Sequence, residues 1–259
     1  MKRFINDIKK YKHYIFYATK SELKSEVANA YLDWVWWLLE PFFTMIVYSV
    51  VFGYILGSEE PHFPVFLYIG IVMWNFFSRN INSSVTIVRA NANIVKKIYV
   101  PKFILLIVKM LVNGYKMLLS FVVVLVMMVV FRIPIDLHFL YVIPILLLLF
   151  VFTFGCGTIL MHFGVYLDDL SYIISIMMTF LMYFTGIFYS IKNKIPQFAD
   201  ILLNCNPLAL FIDGMRNAMI YMSNPNLISI AVWAVISVIL CITGVSLIYK
   251  NENGYVKVI

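Results

Sequence analysis

The sequence predicts an all-α polytopic membrane protein: six transmembrane helices, an N-terminal amphipathic interfacial helix, and a re-entrant helical hairpin between spans 5 and 6. Three observations carry that reading. Of the 259 residues, 63% are hydrophobic and only 13% charged, against about 45–50% and about 25% in soluble domains. The excess gathers into uncharged or nearly uncharged runs at 34–57, 61–78, 103–131, 137–167, 170–191 and 217–249, each at or near the roughly 20 residues that cross a bilayer. Strands of a β-barrel would be about 10 residues long and alternating, which these runs are not. Eleven Gly and nine Pro are too few, and 22 Phe with 17 Tyr too many, for a disordered or collagenous chain.

The first 33 residues read as a cytoplasmic unit and 34–259 as the six-span domain. Lys2 and Arg3 make a positive start, but MKRFINDIKKYKHYIFYATK contains no apolar stretch, so no cleaved signal peptide is expected. Phe4, Ile8, Tyr11 and Ile15 recur at helical spacing while Lys2, Lys9, Lys10 and Lys12 take other faces. That pattern suits a helix lying at the membrane surface, serving either as an anchor alone or also as a site for a cytoplasmic partner. Trp34, Trp36 and Trp37 then mark headgroup level.

The spans fall at 34–57, 62–82, 103–131, 138–163, 171–190 and 227–249. Fourteen Lys and Arg lie on the side holding both termini and four on the other, which places both termini in the cytoplasm. Between spans 5 and 6, residues 192–225 are apolar yet broken by Pro196, Pro207 and Pro225 and by several Asn. Such a segment is tolerated at membrane depth only against protein or a wet cavity, so it reads as re-entrant, with Pro196, Asn206, Pro207 and Arg216 as gate residues. An external loop packed on the bundle is the alternative.

No P-loop appears, nor G-x-G-x-x-G, G-x-S-x-G, H-E-x-x-H or C-x-x-C. His13, His62, His138 and His162 are scattered, and Cys156, Cys205 and Cys241 are odd in number with no paired spacing, so no metal site or disulfide is predicted. The carboxylate pairs Glu59–Glu60 and Asp168–Asp169 read as solvated turns. A net charge of +7 borders the spans and therefore reads as attraction to anionic headgroups rather than to nucleic acid. Gly53 and Gly57 satisfy G-x-x-x-G, a pattern common in apolar segments. No catalytic residue and no cofactor is predicted.

The informative residues are the intramembrane charges Glu40, Lys109 and Lys116, since each costs about 2.5–3.5 kcal/mol at the bilayer centre on insertion scales. Glu40 and Lys109 come out at similar depths, about 9–11 Å in, and are expected to pair. Lys102, Lys109 and Lys116, spaced by seven, share one helix face as a ladder for an anionic group, although Lys109 could also snorkel to the interface. Aromatic rings are dense in span 1 (Phe42, Phe43, Tyr48, Phe52, Tyr54) and span 5 (Phe180, Tyr183, Phe184, Phe188, Tyr189). Such rings suit the C–H faces of sugars, or equally lipid contact and helix packing.

The order of these elements, with ATKSELKSEVANAYLDWVWWLLEPFF entering span 1, NANIVKKIYVPKF, and TGIFYS followed by IPQFADILLNCNPLALFIDGMRNAM, resembles the permease subunit of a type-2 ABC exporter for polysaccharides. That family includes the teichoic acid, O-antigen and capsule exporters, and the resemblance covers nearly the whole chain. It implies a homodimer in the bacterial cytoplasmic membrane, two copies of a separate ATP-binding ABC subunit, and a lipid-linked polysaccharide substrate on polyprenyl diphosphate. It also implies a coupling helix at about 89–99, with Asn91, Asn93, Ile94, Val95, Lys96 and Lys97 at the ATPase, and a substrate path past Tyr48, Phe52, Phe180, Tyr183, Phe184, Phe188 and Tyr189. Where relatives commonly have Arg-Asp after span 4, this chain has YLDDL, so the salt bridge that such an Arg carries is not expected. The rival expectations are a small-molecule or drug exporter of the same superfamily and a non-transporting scaffold of an envelope synthase.

Overall fold

A computed structural model of the chain describes residues 2–28, 33–58 and 60–258, and among them every regular element is helical. Glu59 lies outside the described residues.

Helix α1 (Lys2–Glu26) packs along α5 (Phe103–Val130). The stripe anticipated from spacing is what makes that contact: Ile15 is buried, Phe4, Ile8 and Tyr11 are half-buried, and Lys2, Lys9, Lys10 and Lys12 are exposed. The Phe4 ring sits 4.9 Å from that of Phe103. Helix α2 (Asp33–Tyr48) accommodates Pro41 and runs on as a π-helical stretch, Ser49–Ile55.

Helix α3 (Phe63–Ala90) is the central element, packed against α2, α5, α6 and α7. After it come the short α4 (Ala92–Lys97), α5, a 3₁₀ turn at Leu137–Tyr141 capped by the Asp136 carboxylate, and α6 (Val142–Tyr166). Helix α7 (Leu170–Phe184) stops at Gly186, whose φ of +69° only glycine adopts freely. The stretch α8 (Ile191–Lys194), a 3₁₀ turn at Pro196–Phe198, α9 (Ala199–Cys205) and α10 (Pro207–Met219) leads to α11 (Leu227–Val258), which lies along α6. Helices α6 and α11 approach so closely that a Cβ on Gly155 would meet the Leu240 Cβ at 2.8 Å, the small-residue packing that membrane helices use in place of a hydrophobic drive. The Gly53–Gly57 pair is not of this kind. Gly57 sits in the turn after the π-helix, at φ +62°, with open space around it.

Among the described residues four helices are long and apolar enough to cross a membrane: Trp34–Ile55, Phe103–Val130, Leu137–Tyr166 and Leu227–Tyr255. The pair Pro196–Cys205 and Pro207–Met219 is apolar but bent by 107°. Two of the six expected spans fall short of that standard for identifiable reasons. Helix α3 carries Asn75, Ser78, Arg79, Asn80, Asn82 and Ser83 through its middle, and α7 is only 15 residues long.

The bundle has two distinct ends. At one, Tyr11 donates to the Tyr99 carbonyl (2.9 Å) and Arg3 pairs with Glu252 (2.7 Å). Arg89 pairs there with Asp168 and donates to the Val165 carbonyl (2.7 Å). The Asp at position 168 thus finds its cation on α3. At the other end Glu60 accepts from Asn193 (2.6 Å) and Tyr221 (2.7 Å).

Candidate functional site

The polar middle of α3 and the lysines of α5 face each other, and the structure puts a cavity of about 440 Å³ between them. Arg79, Lys109 and Lys116 line it, with Ser78, Asn82, Ser83, Asn113 and Glu26. Each cation has a carboxylate. Arg79 bonds Glu40 at 2.6 Å, Lys109 bonds Glu22 with Glu26 at 3.9 Å, and Lys116 bonds Glu26. Lys116 also stands 5.1 Å from the Trp37 ring centre, a cation–π contact. Beside the cavity the Asn113 amide donates to the buried Asn80 carbonyl oxygen (2.8 Å), which joins α5 to α3. A second groove, of about 610 Å³, continues from Lys109 and Glu22 past Tyr14, Ala18 and Ser83 to Asn91 and Ile94.

The expected pair of Glu40 with Lys109 does not form. Equal depth is not adjacency: α2 presents Glu40 to α3, where Arg79 takes it, while α1 brings Glu22 and Glu26 to the lysines. Nor does Lys102 join Lys109 and Lys116. It is buried at the start of α5, 5.6 Å from the Tyr99 ring, and burial lowers its pKa, an effect Glu252 partly offsets. Sequence reading missed Arg79, because it falls where the apolar run ends, and missed Glu22 and Glu26, which lie outside the apolar runs. A signal was present in the spacing: Glu22 and Glu26 are one turn apart on a single face of α1.

Of the seven anticipated path aromatics, five are brought together near the opposite end. Tyr48 and Phe52 from the π-helical region meet Phe188 at ring separations of 4.8 and 4.6 Å, the latter stacked, and Tyr183 of α7 lies 5.7 Å from Phe188. The Tyr189 hydroxyl donates to the Tyr183 carbonyl (2.9 Å). Phe188 is buried beneath the others and supports them by packing. Phe180 and Phe184 stay exposed on α7, outside the cluster.

The four anticipated gate residues fall in the bent segment, three at its turns and Arg216 on α10. Pro196 opens the 3₁₀ turn, and Pro207 occupies the first turn of α10, where its missing N–H is harmless. The Asn206 side chain caps α10 by accepting from the amides of Leu208 (3.1 Å) and Ala209 (3.3 Å), and donates to Thr185 (3.3 Å). Arg216 is buried, and among the described residues no carboxylate hydrogen-bonds it. Its guanidinium donates to the carbonyls of Phe66 (3.1 and 3.2 Å), Gly186 (2.8 Å) and Ile187 (2.9 Å), and lies 3.3 Å above the Phe66 ring. It therefore ties α10, α3 and the turn after α7 to one another.

Around α4, Asn93, Lys96 and Lys97 are exposed, Val95 is buried, and Ile94 is half-buried in the chain's own groove. The Asn91 amide caps the end of α3 through the Ile87 carbonyl (2.8 Å). Next to it Arg3, Tyr99 and Glu252 form a ring of hydrogen bonds of 2.7–3.1 Å. Burial and the Glu252 carboxylate hold the Tyr99 phenol above its usual range.

The chain is a polytopic helical bundle with a polar cleft between its helices. Residues 15–220 match the ABC-2 type transporter family, and the chain belongs to that family. It is similar to the O-antigen export system permease protein RfbA of Klebsiella pneumoniae, 24% identical over 93% of each chain. It is also similar to the RfbA permease of Myxococcus xanthus, 21% identical over 99% of each. The inner membrane transport permease YadH of Escherichia coli K12 is 28% identical over 79% of this chain and 83% of its own length. The protein is a multi-pass membrane protein of this transporter family.

Proposed function

We propose that this chain is the permease of an ATP-driven exporter that moves a lipid-linked polysaccharide, anchored on polyprenyl diphosphate, outward across a bacterial cytoplasmic membrane. The observation that carries the reading is the cavity of Arg79, Lys109 and Lys116, found within a bundle whose relatives are named O-antigen export permeases over almost their full length. A diphosphate entering a medium of low dielectric needs cationic partners, and the intramembrane lysines Lys109 and Lys116 are otherwise costly to keep. Lys109 and Lys116 serve the headgroup with Arg79 beside them. The Tyr48, Phe52, Tyr183 and Phe188 cluster offers ring faces to sugars farther along.

In this reading α2, α3, α5, α6, α7 and α11 are the six crossings, the Pro196–Met219 hairpin is re-entrant, and both termini are cytoplasmic. The segment 89–99 around α4 is the coupling helix, and its exposed Asn93, Lys96 and Lys97 meet a separate ATP-binding subunit. That subunit supplies the energy that a chain without a P-loop cannot release. Two copies of each make the working transporter.

The test is depletion of the protein, followed by analysis of surface glycan and of lipid-linked precursors. One surface polymer should fall while its polyprenyl-diphosphate-linked precursor accumulates inside. An unchanged surface with no accumulated precursor would sink the reading.

A further inference from the structure

The cationic cavity is balanced almost to neutrality from within. Arg79, Lys109 and Lys116 face Glu40, Glu22 and Glu26, each cation bonded to a carboxylate. With those pairs in place the site has little net field with which to draw an anion out of water, and a diphosphate would meet carboxylates already seated where its oxygens would go. The two lysine partners come from a single element. Glu22 and Glu26 stand one helical turn apart on the last two turns of α1, and Glu26 lies within reach of both lysines. Between them they present two anionic groups to two cations, the same charge pattern that a diphosphate presents. They are also about one-third exposed, 31% and 29% for the side chains, so water can receive them when they leave.

We propose that Glu22 and Glu26 are internal counter-ions that a diphosphate displaces from Lys109 and Lys116, so that loading the site detaches the end of α1 from α5. This rests on the headgroup reading above and adds to it. The groove that α1 walls also contains Asn91 and Ile94 beside α4. Loading the cavity therefore loosens a wall that reaches the segment assigned to the ATPase, which gives the transporter a way to sense an occupied site.

The experiment uses the full complex in nanodiscs, with geranylgeranyl diphosphate as probe, geranylgeraniol as the uncharged control and inorganic pyrophosphate as the lipid-free one. The variants are Glu22→Gln with Glu26→Gln, which keeps shape and removes charge, and Lys116→Met, which keeps volume. Binding is read together with hydrogen exchange of residues 19–26. The double Gln variant should bind the lipid diphosphate about tenfold tighter or more, the worth of a charge-assisted bond no longer to be broken. The probe should raise exchange of 19–26 in the wild type, and that exchange should already be high in the double variant. Geranylgeraniol should do neither. Inorganic pyrophosphate acting as strongly as the lipid form would support displacement while assigning the site to a free diphosphate. Binding that is weakened by Lys116→Met, yet unchanged in the double Gln variant and silent in exchange, would overturn the counter-ion proposal and leave the headgroup reading standing. No binding by either form would overturn both.

Discussion

The cavity cations and Arg216 are both charges placed inside a membrane bundle, and they are handled in opposite ways. Arg79, Lys109 and Lys116 are each met by a carboxylate and remain partly exposed, whereas Arg216 is enclosed and, among the described residues, bonded to main-chain carbonyls alone. A carboxylate on a mobile side chain can be exchanged for another anion. Carbonyls fixed in α3 and in the 186–187 turn cannot. The first arrangement therefore suits a site that binds and releases, and the second suits a joint that must not move.

The sharpest way to break that comparison is at Arg216. Arg216→Met should leave the buried carbonyls of Gly186 and Ile187 without this donor, at about 1–3 kcal/mol each, and lower thermal stability in detergent by several degrees or abolish folding. Arg216→Lys should fail nearly as badly, because an ammonium cannot reproduce the fork that reaches three acceptors. A lysine variant melting with the wild type would show that the joint does not depend on that geometry.

Next in size is the close packing that holds both regions in place. A Cβ on Gly164 would collide with the main chain of Val85, so Gly164→Ala should cost about 1–3 kcal/mol by overpacking. Wild-type expression and melting temperature in that variant would argue that α6 and α3 sit farther apart.

The aromatic cluster gives a functional contrast within one helix. Tyr183 belongs to it and Phe184 does not, so Tyr183→Ala should slow polymer export severalfold while Phe184→Ala leaves the rate near wild type. Equal effects on export would show that the ring cluster does not define the path.

The smallest effect concerns the exposed pair of Arg79 and Glu40, with side-chain exposures of 40% and 58%. A double-mutant cycle with Glu40→Gln and Arg79→Gln should give a coupling below about 1 kcal/mol, as exposed ion pairs do. The same cycle between Glu40 and Lys109 should be additive. A coupling larger for the second pair than for the first would restore the partnership expected from depth alone.

Much of the architecture was legible before any coordinates. Apolar runs of span length located α2, α5, α6 and α11, and the Phe4, Ile8, Tyr11, Ile15 stripe identified the buried face of α1. Where α7 and α3 departed from expectation, the sequence held the reason in Gly186 and in the Asn and Ser residues of 75–83. The candidate site was legible only in part. Lys109 and Lys116 stood out because a charge inside an apolar run is anomalous by itself, and Tyr48, Phe52 and Tyr183 stood out by density.

What the sequence by itself determined is everything set by neighbours along one helix: which segments are helical, which face is apolar, and which charges lie within a span, because the 3.6-residue period acts locally. Only the tertiary structure decided which helix each charge answers to. Glu40 pairs with Arg79 because α2 lies on α3, and Glu22 and Glu26 reach the lysines because α1 lies on α5. An ion pair depends on separations of a few ångströms between elements. Those separations are set by which apolar faces pack together, and the spacing within any one helix does not contain them.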